Sequence, residues 1–139
     1  LANTTAAAAQ IFGCQDFGVS NFSAIKGTGG GEGIQIERDL GNGTTTSARA
    51  ASRGRFSSVG VRDFGAGHVG IDIANLGGAG ADTMIFDNLH STNQQYPVLC
   101  RATATYTRIA SGDLRPVVAG TGFTNLGGAT NICNSEVIQ

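Results

Sequence analysis

Short runs of β-forming residues separated by glycine-rich turns extend along most of the chain, and this alternation limits its possible folds most. Residues 34–38 alternate apolar and polar side chains, as a half-buried strand does. Glycine makes up 22 of the 139 residues and clusters between such runs, where tight turns need positive φ angles. Outside the alanine-rich N-terminus, no stretch of useful length shows the period of an amphipathic helix. The sequence therefore predicts an all-β protein.

Other strand-like segments suggest how the sheet is built. They are residues 59–61, 69–73, 83–89, 98–109, 117–118 and 132–138. The longest, residues 98–109, has small apolar side chains at even positions and threonine or arginine at most odd positions. About seven to nine short strands joined by regular turns are typical of an antiparallel β-sandwich or jelly-roll-like barrel. We therefore expect a single antiparallel β domain over residues 1–139.

The N-terminal residues 1–12 form a candidate arm, either extended or helical. Residues 6–12 are the one short helix candidate, with Thr4 or Thr5 as its N-cap. The arm is apolar and rich in small side chains, so it suits addition to the sheet edge of a neighbouring subunit, although a frayed terminus fits equally well. The candidate assembly residues are Leu1, Ala6, Ala7, Ala8, Ala9, Ile11 and Phe12.

A five-residue sequence, Asn-Leu-Gly-Gly-Ala, occurs at residues 75–79 and again at 125–129. The simpler interpretation is that the same type of turn occurs twice. In each copy a strand would end at the asparagine and the leucine would point inward. The alternative is a pair of related half-units, as in a double Greek key. Two copies are too few to predict a solenoid.

The three cysteines, Cys14, Cys100 and Cys133, are too widely spaced for a zinc knuckle. The chain begins at Leu1 and holds a single lysine, which we interpret as a processed protein from an oxidising compartment. A disulfide between Cys100 and Cys133 is then expected, and Cys14 is left over. Three buried thiols are the alternative.

Charge is sparse, at 14% of residues with a net charge of −1, so bulk attraction to nucleic acid or an anionic membrane is not expected. No apolar run approaches the roughly 20 residues of a membrane span, so membrane insertion is not expected either. The one basic concentration, a candidate polyanion contact, consists of Arg49, Arg53, Arg55 and Arg62. Solvated or ion-paired arginines are the commoner arrangement, with Glu32, Glu37 and Asp39 as nearby partners. Nucleic acid becomes an attractive partner only for a capsid subunit.

Catalytic and cofactor motifs are weak. No G-x-S-x-G motif accompanies His68 or His90, and the glycine-rich residues 27–31 lack the strand, helix and lysine order of a phosphate loop. We therefore expect no enzyme activity, no metal and no cofactor.

Sparse charge with abundant Gly, Ala, Thr and Asn suits proteins that pack as many identical copies. The expected function is a structural subunit of an extracellular, cell-surface or virion assembly, such as a pilus-like filament or a coat protein, whose partners are copies of itself. The alternative is a secreted carbohydrate-binding module that uses exposed aromatics such as Tyr96, Tyr106, Phe22 and Phe56.

Overall fold

The computed structural model describes residues 7–25, 31–37, 50–74, 81–117 and 122–134. Its strands are β1 (Ala9–Phe12), β2 (Gly18–Ser20), β3 (Ser23–Ile25), β4 (Ile34–Glu37), β5 (Ala51–Ile73), β6 (Ala81–Cys100), β7 (Ala104–Thr105), β8 (Arg108–Ile109), β9 (Gly112–Pro116), β10 (Phe123–Asn125) and β11 (Ile132–Cys133). Every strand pairing is parallel, and the chain winds into a β-solenoid of about 4 turns. No helix, and hence none able to span a membrane, occurs in these ranges.

Stacked rows of side chains, all apolar except Ser91, form the core. The first row is Ala9, Ile34, Ile71, Val98 and Phe123; the second is Val19, Phe56, Phe86, Ile109 and Cys133; the third is Ala24, Val61, Ser91 and Leu114. Each row takes one side chain from each turn it crosses. Adjacent strands in a sheet lie about 4.8 Å apart, so these side chains are in contact from turn to turn.

Nine non-glycine residues in left-handed backbone conformations form the corners of the solenoid. Their φ angles lie between 51° and 67°. Asp16, Arg53, Thr83 and Tyr106 stack as the first corner, Asn21, Ser58 and Asn88 as the second, and Asp63 and Asn93 as the third. Left-handed backbone crowds the Cβ atom, and Asn and Asp tolerate it better than other side-chain-bearing residues. The first corner, which has three other residue types, is therefore the most strained.

Corners recur every five residues along β5 and β6. Arg53, Ser58 and Asp63 follow at this interval in β5, as do Thr83, Asn88 and Asn93 in β6. Each five-residue side points its first and third side chains inward. The buried residues at these positions include Phe56, Val59, Val61, Met84, Phe86, Leu89 and Ser91. Within a strand, successive inward-facing residues are two positions apart; across a corner they are three positions apart. The longer step keeps the side chains on both sides of the bend pointing into the core.

The left-handed strain predicts that Thr83→Asn stabilises the protein, by about 1 kcal/mol, because a β-branched residue is poorly suited to this conformation. Thr92 is the matched control, since it lies in β6 without a positive φ, where a β-branched side chain is favoured. Thr92→Asn should lower stability slightly. Urea denaturation of both variants measures the effect, and a shift of the same sign in both would contradict the corner assignment.

The predicted antiparallel sandwich or jelly-roll-like barrel is wrong, although the all-β class is right. The sequence distance between stacked residues is 37 for Val19 and Phe56, 30 for Phe56 and Phe86, and 23 for Phe86 and Ile109. The sequence distance between stacked residues therefore differs from turn to turn, so no fixed repeat marks the turns. Without a fixed repeat, the sequence of this solenoid shows only short strands and glycine-rich turns. An antiparallel sandwich has the same local sequence pattern.

The predicted disulfide is also wrong, since none of Cys14, Cys100 and Cys133 is joined in a disulfide. Cys100 stacks between Ile73 and Asn125, whereas Cys133 stacks beneath Ile109 in the second row. The two residues thus belong to different stacked rows and are not direct stacking neighbours, although Cys133 lies near enough to Cys100 to help raise its pKa. Burial raises the pKa of the Cys100 thiol to about 12 and also raises the pKa of Cys133. Both thiols therefore stay protonated and weakly reactive.

Candidate functional site

The two end turns expose part of the hydrophobic core. Seven apolar residues pack against the core while remaining only partly buried. They are Ala9, Ile11, Phe17, Val19 and Phe22 in the first turn, and Phe123 and Cys133 in the last. By contrast, the second-row residues Phe56, Phe86 and Ile109 of the inner turns are at most 2% exposed. The core is closed along its length and partly open at both ends.

The backbone of the end turns is similarly incomplete. Within the described residues, β1, β2 and β3 each pair on one side only, with β4 or β5. At the other end, β9, β10 and β11 also have a single neighbour each in those ranges. An edge strand with unpaired amides and carbonyls is a template for another strand. Among the described residues, each end therefore combines apolar side chains with strand edges that no further strand covers.

Asn131 attaches the last turn to the turn before it. Its buried side-chain amide accepts a hydrogen bond from Thr107 N at 2.9 Å and donates to Ala104 O at 2.9 Å. It also donates to Asn125 Oδ1, which accepts the amide of Gly127 as well. The last turn is thus held by side-chain contacts in addition to strand pairing.

The N-terminal arm is only partly within the described residues, because Leu1 and Ala6 lie outside them. Ala9, Ile11 and Phe12 belong to β1, which pairs with β4 of the same chain. This places the described part of the arm on the first turn. Its exchange between subunits stays a prediction.

The repeated Asn-Leu-Gly-Gly-Ala sequence is described only in its second copy. Strand β10 ends at Asn125, as the reused-turn interpretation expects. Leu126 is 59% exposed and does not point inward as expected. Residues 75–79 lie outside the described ranges.

A groove of about 530 Å³ opens at the first corner, across the first three turns. Its less exposed lining is apolar and includes Phe17 and Ile85. Phe17 is anchored by an edge-to-face contact with Phe56, with ring centroids 5.6 Å apart. The polar lining comes from Asp16, Arg53, Arg55 and Thr83. This composition, an apolar floor with a few polar groups, is typical of small-molecule sites.

Of the described arginines predicted to act together, the fold separates Arg62 from Arg53 and Arg55. Arg53 and Arg55 line the same groove, whereas Arg62 lies on the side that follows the second corner. Arg49 is outside the described residues. Arg53 makes a bidentate ion pair with Asp16, with Nη2 to Oδ2 at 2.7 Å. Asp16 was not among the partners expected from sequence, because it lies 37 residues away and joins Arg53 only through stacking.

A group of charged side chains that the sequence did not single out lies against the outer side of the first row. Arg101 donates to both carboxylate oxygens of Asp72, at 2.8 and 2.7 Å, and Asp72 is fully buried. Glu32 lies within hydrogen-bonding reach of Asp72. Burial, and then the Asp72 carboxylate, raise the pKa of Glu32 to about 7. Protonated Glu32 therefore donates a hydrogen bond to the Asp72 carboxylate.

This cluster predicts a specific pH dependence. Since folding raises the pKa of Glu32 from 4.5 to about 7, the folded chain binds the proton more tightly than the unfolded chain. The stabilisation is complete below about pH 4.5 and is lost as the pH rises towards 7. Glu32→Gln mimics the protonated form, so its melting temperature should match wild type at pH 4.5 and exceed it at pH 8. A constant difference across this range would contradict the assignment.

Neither histidine belongs to a recognisable catalytic or metal group in the described ranges. His90 Nε2 lies 3.0 Å from Asn88 Oδ1, while Ser111 donates to Asp87 instead of contacting His90. No cluster of three metal-ligating side chains occurs among the described residues. Comparison with known proteins found no matching family model, curated protein or solved structure. The two end turns and the corner groove are therefore the candidate sites.

Proposed function

We propose that the chain is a structural subunit whose copies stack turn on turn through their end turns. The observation that supports this is the position of the seven partly buried core residues, all of which lie in the first or last turn. Parallel strands at one end and parallel strands at the other have complementary hydrogen-bonding edges. A second copy placed head to tail continues both the strand ladders and the apolar rows.

This mode of contact has a defined consequence for the assembly. Because it joins two different surfaces, it is heterologous, and a heterologous contact that does not close into a ring gives an open filament. Solenoid turns gain stability from each neighbour, so each added copy stabilises the end turns of the previous one. In this proposal function lies in packing between copies, and the first-turn residues Ala9 and Ile11 of the arm take part in it.

Composition supports placing this assembly outside the cell or in a virion. Only 14% of residues are charged, against about 25% in an average domain. Surfaces with few charges lose little solvation energy when they come into contact. The assemblies to which the proposal applies are therefore extended filaments and coats.

Sedimentation velocity across a concentration series tests the proposal, with two lysine variants in the same strand. Val19 is partly buried in the second row on the first turn, whereas the adjacent Ser20 is exposed and points away from the core. We expect wild type and Ser20→Lys to form larger species as concentration rises. Val19→Lys should remain a 14.1 kDa monomer, because a charge on the apolar end must be desolvated on stacking.

Thermal melts of dilute samples serve as the folding control for both variants. Wild type that stays monomeric at all concentrations would overturn the proposal. Equal assembly of the Val19→Lys and wild-type proteins would also overturn it, because the end turn would then not form the contact.

A further inference from the structure

We propose that the groove at the first corner binds a carboxylate-bearing sugar, such as a uronic acid unit of an acidic polysaccharide. The inference does not require stacking, because one chain forms the whole groove from residues of its first three turns, of which Asp16, Phe17 and Gly18 belong to the end turn. Its volume of about 530 Å³ lies within the range of small-molecule sites, roughly 300–1,000 Å³.

The charges in the groove suit a ligand with one negative group. Arg53 is already neutralised by its bidentate pair with Asp16, and Asp82 lies near enough to affect it. Arg55 lines the same groove, and no carboxylate of the described residues pairs with it. One guanidinium is therefore available, and its planar donor fork matches a carboxylate.

The remaining lining suits a sugar ring. Phe17 and Ile85 present an apolar surface to the carbon-bound hydrogens of a pyranose ring. Thr83 and Asp16 supply hydroxyl and carboxylate groups for hydrogen bonds to ring hydroxyls. Tyr106 follows Thr83 in the first corner and is 59% exposed, so it offers an aromatic surface beside the groove.

A nucleic acid fits the same groove less well. A chain of phosphates would bring several negative charges close to Asp16 and Asp82, while nucleic-acid affinity depends on several lysines or arginines acting together. The net charge of −1 provides no attraction at longer range. The acidic sugar is thus the ligand class that the lining favours.

Isothermal titration of the full chain with digalacturonate tests this inference, with its neutral methyl ester and a short oligonucleotide as comparison probes. We expect digalacturonate to bind and the other two probes not to bind. Arg55→Gln should weaken binding by about tenfold, the loss expected for a charge-assisted hydrogen bond. Arg62→Gln is the matched control, because it removes the same charge from an exposed arginine outside the groove, and it should leave affinity unchanged.

Thermal melts confirm that both variants fold. No binding of digalacturonate, or equal binding of its methyl ester, would overturn the inference. Equal weakening by both arginine variants would also overturn it, since the attraction would then be non-specific. Binding of the oligonucleotide alone would replace the sugar with a nucleic acid.

Discussion

Phe86→Ala lowers the free energy of unfolding by about 3–5 kcal/mol, the range found when a buried phenylalanine is truncated. Phe86 is fully buried in the third turn and stacks on Phe56 with ring centroids 4.4 Å apart and planes 14° apart. Ile109 covers it from the next turn. Because rigid strands hold neighbours on both sides, the cavity left by the ring cannot collapse.

Urea denaturation measures this loss as a lower midpoint with an unchanged slope. Phe22→Ala is the comparison, since Phe22 lies in the first turn and is only partly buried. Its truncation should cost less, about 1–2 kcal/mol, because less area is returned to water. Equal losses at Phe22 and Phe86 would contradict the difference between inner and end turns.

Asp72→Asn is expected to lower the free energy of unfolding by about 2–3 kcal/mol, because it leaves Arg101 without its bidentate partner. The expected loss is smaller than for a fully buried pair, since the Arg101 side chain is 32% exposed. Denaturation in a Glu32→Gln background isolates the effect, because the amide carries no charge that could pair with Arg101 in place of Asp72.

Asp16→Asn is the matched control for this experiment. It removes one carboxylate from an equally bidentate pair with Arg53, but both side chains are more than half exposed. Water screens such pairs, so the unfolding midpoint should not change. A comparable loss in both variants would mean that burial does not determine the contribution of the Asp72–Arg101 pair.

The sequence predicted local strands and their inward-facing residues. It did not predict the corners, where the alternation of inward and outward side chains shifts by one residue. Residues 98–109 were expected to form one strand with its even positions inward. Cys100 and Ala104 are indeed buried, but Tyr106 is exposed and Thr107 is buried instead. Tyr106 adopts a left-handed conformation with a φ of 54°, which reverses the inward parity of the following residues. Nothing in a tyrosine indicates such a corner.

One sequence pattern does indicate the corners of the solenoid, namely the spacing of its apolar residues. In β6, the buried residues Met84, Phe86 and Leu89 follow one another at steps of two and then three positions, and the β5 residues Phe56, Val59 and Val61 at steps of three and then two. Pure alternation cannot produce a step of three. The rest of the fold was not predictable in this way, because the sequence distance between stacked residues differs from turn to turn.

The candidate sites were less predictable than the strands. Arg53 and Arg55 were singled out by charge alone, and the groove that they share depends on stacking with Asp16 and Thr83. The Asp72–Arg101 pair joins residues 29 positions apart. Such contacts follow from the winding of the chain, which local patterns did not reveal.

Hydrogen–deuterium exchange of single amides, compared between dilute and concentrated protein, tests most directly whether copies associate through their end turns. In dilute protein, amides of β1, β2, β3, β9, β10 and β11 should exchange quickly, and the paired inner amides of β5 and β6 slowly. At high concentration we expect new protection in those six end strands and no change on the sides of the solenoid. Protection that appears instead on the lateral faces, with the end strands still exchanging quickly, would contradict it.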